Sequence, residues 1–297
     1  MKKLYIVALT GLIFFLASCS APNIKPKDKE MYDKSEKKLF STKQARKINL
    51  NQLVKETEDY PVIFVGDHHN TEKTHEFFNS YLQALADKGY ALYLANEWFA
   101  PKHNKLLQLY INGNISSEEL KQKRDLKRIR WDLVEKLYAT VKNSGGKLYG
   151  VNLSKEDRRK ISKRLFEQMS KEERSFYDNL DLNVSAHRKL VMPFFGHCKK
   201  MFKYKKGEPC DDRMYRVQVA WDTYMAEQSA KIAKKVIRNK KDKLIVFAGA
   251  MHMEYGLGIP LRFSRISNLP SYIISNEINS NEDINRHKAD ALFLYDR

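Results

Sequence analysis

Two Gly-x-x-His segments follow short apolar runs in this chain of 297 residues. Residues 66–69 read Gly-Asp-His-His, and residues 249–252 read Gly-Ala-Met-His. A third apolar run leads directly to Glu97. Imidazole and carboxylate groups ligate divalent metal ions and also exchange protons with reacting groups. We therefore predict that His69, Glu97 and His252 share one functional site, with a bound divalent metal ion as one hypothesis.

Two aspartates could act near this site. Asp67 lies within the first Gly-x-x-His segment, and Asp222 follows Gln218 by four residues, which places that pair on one face of a helix. The abundance of lysine favours salt bridging as the role of Asp222. Among the other histidines, His75 is interpreted as a surface residue of a helix, and His187 lies in a charged stretch without an evident partner.

Six short apolar runs predict buried strands because of their length and their β-branched and aromatic content. They span residues 61–65, 90–95, 147–151, 243–247, 271–275 and 289–295. Segments with helical character lie between them, at residues 71–88, 102–145, 155–190 and 212–239. This alternation predicts an α/β fold with a mostly parallel sheet and helices on both faces. Ligands bind outside the carboxyl ends of such strands, which is where the three candidate residues fall.

The N-terminus has the features of an export signal. Two lysines precede an apolar segment at residues 4–16, and the small residues before Cys19 resemble a bacterial lipobox. We therefore expect residues 1–18 to be a signal peptide, and Cys19 to be lipidated and to anchor the chain in a lipid bilayer. Ser20 resembles an outer-membrane sorting signal, which predicts a location in the bacterial cell envelope, on the outer membrane facing the periplasm.

Composition indicates how the rest of the chain is organised. Residues 19–47 are polar and rich in lysine and predict a flexible tether, whereas residues 48–297 are interpreted as a single domain. The chain has 54 lysine and arginine residues and 36 aspartate and glutamate residues. The resulting net charge of +18 favours an anionic partner. Nucleic acid is not expected as that partner, because the chain is predicted to be an exported lipoprotein.

Cys198 and Cys210 are the cysteines that remain after lipidation, and an oxidising periplasm would let them form a disulfide. The segment between them is rich in lysine and contains Phe202 and Tyr204. Two interpretations of this basic, aromatic loop stay open: it clamps a flat anion, or it is a charged surface hairpin.

Beyond the lipobox, six short motifs stand out in the chain. They are Val-Gly-Asp-His-His-Asn at 65–70, Asn-Glu-Trp at 96–98, Phe-Gly-His-Cys at 195–198, Trp-Asp-Thr-Tyr-Met-Ala-Glu at 221–227, Ala-Gly-Ala-Met-His at 248–252 and Gly-Leu-Gly-Ile-Pro at 256–260. Together they resemble the ChaN family of haem-binding, iron-regulated lipoproteins, which shares a superfamily with erythromycin esterases, TraB and the Tiki proteases. The resemblance covers roughly residues 50–275. Asp67 departs from it, since the family usually has glutamate there.

The resemblance implies an α/β fold with a helical lid and a function in haem or iron uptake or storage. It also implies that haem is held between two subunits of a homodimer, with a tyrosine on the iron and with a histidine and a lysine on the propionates. Tyr149, at the end of a predicted strand, is the first candidate for the iron ligand, and Tyr204 is the second. His197 and Lys199 are the candidates for the propionates. An outer-membrane haem receptor is a candidate partner.

Haem also suits the composition of the chain. It is flat and apolar and has two carboxylates, and the chain offers 16 Tyr, 15 Phe and a surplus of lysine. The rival hypothesis is a metal-dependent hydrolase or protease of the Tiki or TraB type, in which the metal ion activates water and Asp67 or Asp222 is the base. A structural lipoprotein that recruits partners is a third hypothesis. The carrier hypothesis, under which the chain is not an enzyme, is the one favoured.

Overall fold

The computed structural model describes residues 29–30, 39–124, 129–195, 209–278 and 284–296. Several predictions concern residues outside these ranges. They are the signal peptide, most of the tether, Cys19, His197, Cys198, Lys199 and Tyr204.

A mostly parallel sheet of eight strands forms the centre of the domain. The described residues form these eight strands and two more, which in chain order are β1 (Lys29–Glu30), β2 (Leu39–Ser41), β3 (Arg46–Lys47), β4 (Val62–Asp67), β5 (Ala91–Asn96), β6 (Lys147–Gly150), β7 (Asp242–Gly249), β8 (Ser271–Ile278), β9 (Ile284–Asn285) and β10 (Ala291–Tyr295). Their order in the sheet is β3-β2-β10-β8-β4-β7-β5-β6, while β1 and β9 pair with each other. The six strands from β10 to β6 are parallel, and they are the six that the apolar runs predict. The predicted fold class is confirmed.

The sheet extends into the segment that composition assigned to the tether. Strand β2 pairs antiparallel with β10, and β3 pairs antiparallel with β2. Leu39 and Phe40 are buried, and the Ser41 hydroxyl donates a hydrogen bond to Glu56. Residues 39–41 and 46–47 therefore belong to the sheet, because short edge strands pair through their backbone and need little apolar sequence of their own.

The helices fall close to the segments with helical character. They are α1 (Leu50–Glu56), α2 (Glu72–Asp87), α3 (Asn104–Ile111), α4 (Ser117–Arg124), α5 (Trp131–Asn143), α6 (Lys155–Lys163), α7 (Lys171–Asp178), α8 (Ser185–Val191), α9 (Cys210–Val236) and α10 (Ile259–Ser264). Alternate residues of β4 explain why helices cover both faces. Ile63 and Val65 join a buried cluster with α1, α2 and α5, whereas Val62 and Phe64 join a second cluster with α9 and α10.

Helices α6, α7 and α8 form an insertion between β6 and α9. Ile161 of α6 and Phe176 of α7 pack beside Ala220 and Tyr224 of α9 in a cluster separate from the central sheet. Cys210, the first residue of α9, is disulfide-bonded. Within the described ranges, every helix is too short or too polar to cross a membrane.

Candidate functional site

The strand order brings the candidate residues together at the carboxyl edge of the sheet. Strand β7 lies between β4 and β5, and it pairs with both in parallel. The turn after β7, which contains His252, therefore lies between the end of β4, with Asp67 and His69, and the end of β5, with Glu97. All three predicted ligand residues meet at one place, as expected from the rule for parallel sheets.

His69 bridges two carboxylates. Its Nδ1 atom lies 2.9 Å from Oδ2 of Asp67, and its Nε2 atom lies 2.5 Å from Oε1 of Glu97. Burial by itself lowers the pKa of His69, but the hydrogen bonds to the two carboxylates outweigh burial and raise it to about 10. His69 is therefore a cation at neutral pH, and 45% of its side chain is exposed.

Glu97 lies at the centre of the site. While Oε1 accepts from His69, Oε2 accepts a hydrogen bond from the Gly249 backbone amide at 3.1 Å and lies 3.8 Å from Nε2 of His252. Burial raises the pKa of Glu97, but the hydrogen bond from His69 and the charge of His252 overcome this and lower it. The buried carboxylate therefore remains ionised between two imidazoles.

Asp222 of α9 fixes the second histidine. Its Oδ1 atom lies 2.5 Å from Nδ1 of His252, and its Oδ2 atom lies 3.1 Å from Nε2 of His187. Gln218 donates to the same carboxylate at 3.2 Å. Asp222 is fully buried, and the charge of His252 keeps its pKa well below its usual range despite the opposing effect of burial. The expectation of a salt bridge from Asp222 to surface lysines is therefore wrong.

His75 belongs to the site, although its helical setting was interpreted as surface. The Nε2 atom of His75 lies 3.2 Å from Oδ2 of Asp67, and its Nδ1 atom is buried without a hydrogen-bond partner in the described part of the chain. Its side chain lines a cavity of about 100 Å³ together with His69, Asn70, Trp98 and Ile129. The cavity reaches the network from one side of the sheet.

The signal for this burial was present in the sequence. His75 falls three residues before Phe78 and seven before Leu82, on the apolar face of α2. His187 is also fully buried. Its partner Asp222 lies on α9, far away in the sequence, so no local pattern indicates this contact.

Gly249 and Gly258 lie in close contact with residues of the site. Neither Gly66 nor Gly249 has a positive φ, so a left-handed backbone conformation is not what requires glycine at these positions. A Cβ atom on Gly249 would lie 3.3 Å from Nε2 of His69 and 3.6 Å from Cδ2 of His252. At Gly258 a Cβ atom would lie 2.2 Å from the carbonyl oxygen of His252, a distance that excludes any side chain without movement of the backbone.

We call these residues the imidazole–carboxylate network. Its members are Asp67, His69, His75, Glu97, His187, Asp222 and His252. Alternating acids and bases of this kind can hold and transfer protons. Among the described residues, no group of three or more His, Cys, Asp or Glu side chains is arranged to hold a metal ion. Both ring nitrogens of His69 lie within hydrogen-bonding distance of carboxylates, Nδ1 of Asp67 and Nε2 of Glu97.

Tyr149 lies near this edge of the sheet, on the neighbouring strand β6. Its side chain is half-buried, and burial raises the pKa of its phenol. Within the described ranges the hydroxyl has no hydrogen-bond partner. Tyr149 and Trp221 both pack against the buried cluster on the α9 side of the sheet. Tyr149 and Trp221 therefore lie on the same side of the sheet.

Trp221 connects β6 to the network. Its indole N–H donates to Oδ1 of Asn152 at 2.7 Å, and Asn152 in turn donates to the backbone carbonyl of Glu97. The indole also meets the His252 ring edge-on, with 5.1 Å between the ring centroids. The guanidinium of Arg158, on α6, lies 4.2 Å over the same indole. Neither Arg158 nor Trp221 was singled out from the sequence as a site residue.

Comparison with known proteins identifies a family. The family described as haem-binding uptake, Tiki superfamily, ChaN matches residues 53–263. No curated protein matches the chain.

Solved structures are similar to this chain at low sequence identity. A structure of ChaN of Campylobacter jejuni, described as showing cofacial heme binding, is 19% identical, with a TM-score of 0.63 over 86% of this chain and 94% of that chain. An erythromycin esterase, EreC, in its open conformation has a TM-score of 0.47 and 11% identity, covering 82% of this chain and 76% of that chain. The type III effector HopBA1 has a TM-score of 0.45 and 14% identity, covering 83% and 93%.

Proposed function

The chain belongs to the ChaN family of haem-binding uptake proteins in the Tiki superfamily, and we propose that it binds haem and acts in the uptake or storage of haem and iron. The observation that supports this proposal is the family match over residues 53–263, a range that contains Tyr149 and the whole imidazole–carboxylate network. The structural relative from C. jejuni, described as binding heme cofacially, has the same fold.

Tyr149 is the proposed iron ligand. Its hydroxyl has no competing hydrogen bond within the described ranges, and its ring is held in place by packing against the sheet. Burial raises the pKa of the phenol, so the positive charge of ferric iron has to stabilise the phenolate. When haem is bound, Tyr149 would supply the anionic oxygen that holds the iron.

We further propose that two copies of the chain enclose the ligand. A second cavity, of about 240 Å³, lies beneath α6 and α7 and is lined by Leu153, Met169, Phe176 and Tyr224 among others. Neither it nor the 100 Å³ cavity beside His69 reaches the roughly 300–1,000 Å³ typical of pockets that enclose an organic ligand. A third cavity, of about 330 Å³, lies at the opposite ends of the strands, beside Pro61 and Lys243, away from the network. A porphyrin would therefore lie on an open face, and a homodimer would cover it.

The proposed location is the bacterial cell envelope, with a lipid anchor at Cys19 and residues up to about 38 as the tether. The disulfide at Cys210 supports an oxidising compartment. An outer-membrane haem receptor would then be a partner in delivery. Palmitate labelling of intact cells, compared between the wild type and Cys19→Ala, tests the anchor, and equal labelling of the two would overturn it.

Haemin titration of the purified domain, followed by absorbance, tests the proposed function. A saturable spectrum with a phenolate charge-transfer band is expected for the wild type, and Tyr149→Phe should lose that band. Tyr177→Phe is the matched control, because Tyr177 is a partly buried tyrosine on α7 that packs against Phe166. A wild type without saturable haemin binding would overturn the proposal. Loss of the band in Tyr204→Phe alone would move the iron ligand to Tyr204.

A metal-dependent hydrolase is the second candidate function, favoured by the convergence of His69, Glu97 and His252. It requires the two imidazoles to exchange their present hydrogen bonds for a metal ion, with Asp67 or Asp222 as the base. Protein that is colourless and retains zinc, manganese or cobalt after dialysis would favour this candidate. Loss of that metal in the variant with His69→Ala and His252→Ala would assign the site.

A further inference from the structure

The guanidinium of Arg158 lies at the edge of the site, stacked on Trp221. It lies 4.2 Å over the Trp221 ring, and that ring is fixed by a hydrogen bond to Asn152 and by its contact with His252. A cation over an indole face is stabilised by the ring quadrupole. Helix α6 therefore presents Arg158 in one defined position next to the imidazole–carboxylate network.

Arg158 is half-buried, and its innermost donor is unsatisfied among the described residues. Its Nε atom is buried without a hydrogen-bond partner, and no ion pair joins its guanidinium to a carboxylate in the described part of the chain. Burial lowers the pKa of Arg158, and only the more distant charge of Glu97 opposes this. Buried donors are normally satisfied because an unmade hydrogen bond is costly. The half-buried guanidinium of Arg158 therefore has hydrogen-bond donors that no protein group among the described residues uses.

Two other arginines stack on aromatic rings, but unlike Arg158 they also pair with carboxylates. Arg174 lies 3.8 Å over the Phe166 ring, and Arg188 lies 5.0 Å over the Tyr215 ring. Each is also paired with a carboxylate, Arg174 with Asp178 at 2.8 Å and Arg188 with Asp212. Stacking on an aromatic ring therefore does not by itself explain why Arg158 has no such partner.

Glu97 does not fill this role. Its two oxygens are already engaged by His69 and by the Gly249 amide. A carboxylate that pairs with Arg158 would therefore come from outside the network. A stacked guanidinium presents its outer N–H groups to a carboxylate in a bidentate geometry.

We propose that Arg158 binds a carboxylate of the ligand, and that this carboxylate is a propionate of haem. This inference rests on the proposed function. The side of the sheet agrees with it, since Trp221 beneath Arg158 and the proposed iron ligand Tyr149 pack against the same cluster. Arg158 would act in addition to the predicted propionate residues His197 and Lys199.

Comparing haemin with haemin dimethyl ester tests the inference, because the ester keeps the porphyrin and the iron but has no carboxylates. The wild type should bind haemin more tightly than the ester. Arg158→Gln should weaken haemin binding by on the order of tenfold to a hundredfold and leave ester binding unchanged. Arg158→Lys should recover only part of the loss, because an ammonium group cannot bind bidentately. Arg174→Gln, which removes a stacked but already paired arginine, should change neither affinity.

Separate outcomes distinguish this inference from the proposed function. If the wild type binds haemin and Arg158→Gln weakens haemin and ester equally, or weakens neither, the inference is overturned and the proposed function stands. If the wild type binds no porphyrin, the proposed function fails. Sodium glutarate, followed by tryptophan fluorescence, then decides whether Arg158 binds a carboxylate at all. A saturable response that disappears in Arg158→Gln supports such a site, and no response overturns it. Thermal melts confirm that each variant is folded.

Discussion

The Nε2 atom of His69 lies 2.5 Å from Oε1 of Glu97, although these residues follow two strands that do not pair with each other. The intervening strand β7 contributes the Gly249 amide that holds the other oxygen of Glu97. One imidazolium thus spans a strand of the sheet and joins its two neighbours. The charge state of this pair governs several measurable properties.

Replacing Glu97 by glutamine should lower the pKa of His69. The substitution keeps the shape of the side chain but removes one of the two charges that raise this pKa to about 10. We expect a fall of about one pH unit or more, measured by an NMR titration of the imidazole C–H resonances. Glu172→Gln, a change at an exposed residue of α7, is the control. An unchanged His69 pKa in Glu97→Gln would contradict the role assigned to this pair.

Stability should fall as the pH rises from about 6.5 towards 10. The pKa of His69 is raised from 6.5 to about 10 in the folded protein, so the folded state binds an extra proton in that window and loses this advantage as the pH rises through the folded pKa. Because 45% of the side chain is exposed, water weakens the effect. Melting temperatures of the ligand-free protein at pH 6, 8 and 10 measure it. The slope should be shallower in His69→Gln, and an equal slope would contradict the prediction.

Removing the charge of Asp222 should destabilise the protein strongly. Asp222→Asn leaves the buried His252 without its anion at Nδ1, and breaking a buried pair of this kind costs about 3–5 kcal/mol in the free energy of unfolding. Urea denaturation followed by circular dichroism measures this loss. Asp178→Asn removes the partner of Arg174 on the helix surface and should cost only about 0.5 kcal/mol or less. Similar losses in the two variants would show that Asp222 is not a buried structural anion.

Haem should cause the protein to dimerise if an open face binds the ligand. We expect light scattering coupled to size exclusion to show a doubling of mass when haemin is added in equal amount to the lipid-free domain. Tyr149→Phe, mixed with haemin in the same way, should remain at the mass of the ligand-free protein. A haemin complex of the wild type with the mass of one chain would overturn the shared pocket while leaving haem binding intact.

Much of the fold could be predicted from local sequence. Buried strands such as β4 and β7 are short β-branched runs, and the three-to-four spacing of α9 follows from the face that it buries. These patterns depend on neighbours within one turn or one strand, so the sequence shows them directly. The Gly-x-x-His segments at the ends of β4 and β7 also predicted correctly that the site lies at the carboxyl edge of the sheet.

Partners that lie far apart in the sequence could not be predicted in this way. Asp222 was assigned to surface lysines and His75 to the surface of a helix, whereas each holds or completes a buried imidazole–carboxylate contact. Leu39 and Phe40 were assigned to a tether because their polar neighbours dominate the composition. In each case the deciding contact comes from another element, which no spacing within the segment reveals.

The α/β class, the parallel strands and the residues at their carboxyl ends can be read from local sequence, because burial and hydrogen bonding impose periods of two and 3.6 residues on the chain. The position of β7 between β4 and β5, the contact of Asp222 with His252 and the position of Arg158 over Trp221 follow from the three-dimensional packing. Strand order and helix docking are set by the packing of the whole core. Which acid meets which base is therefore a property of the folded chain.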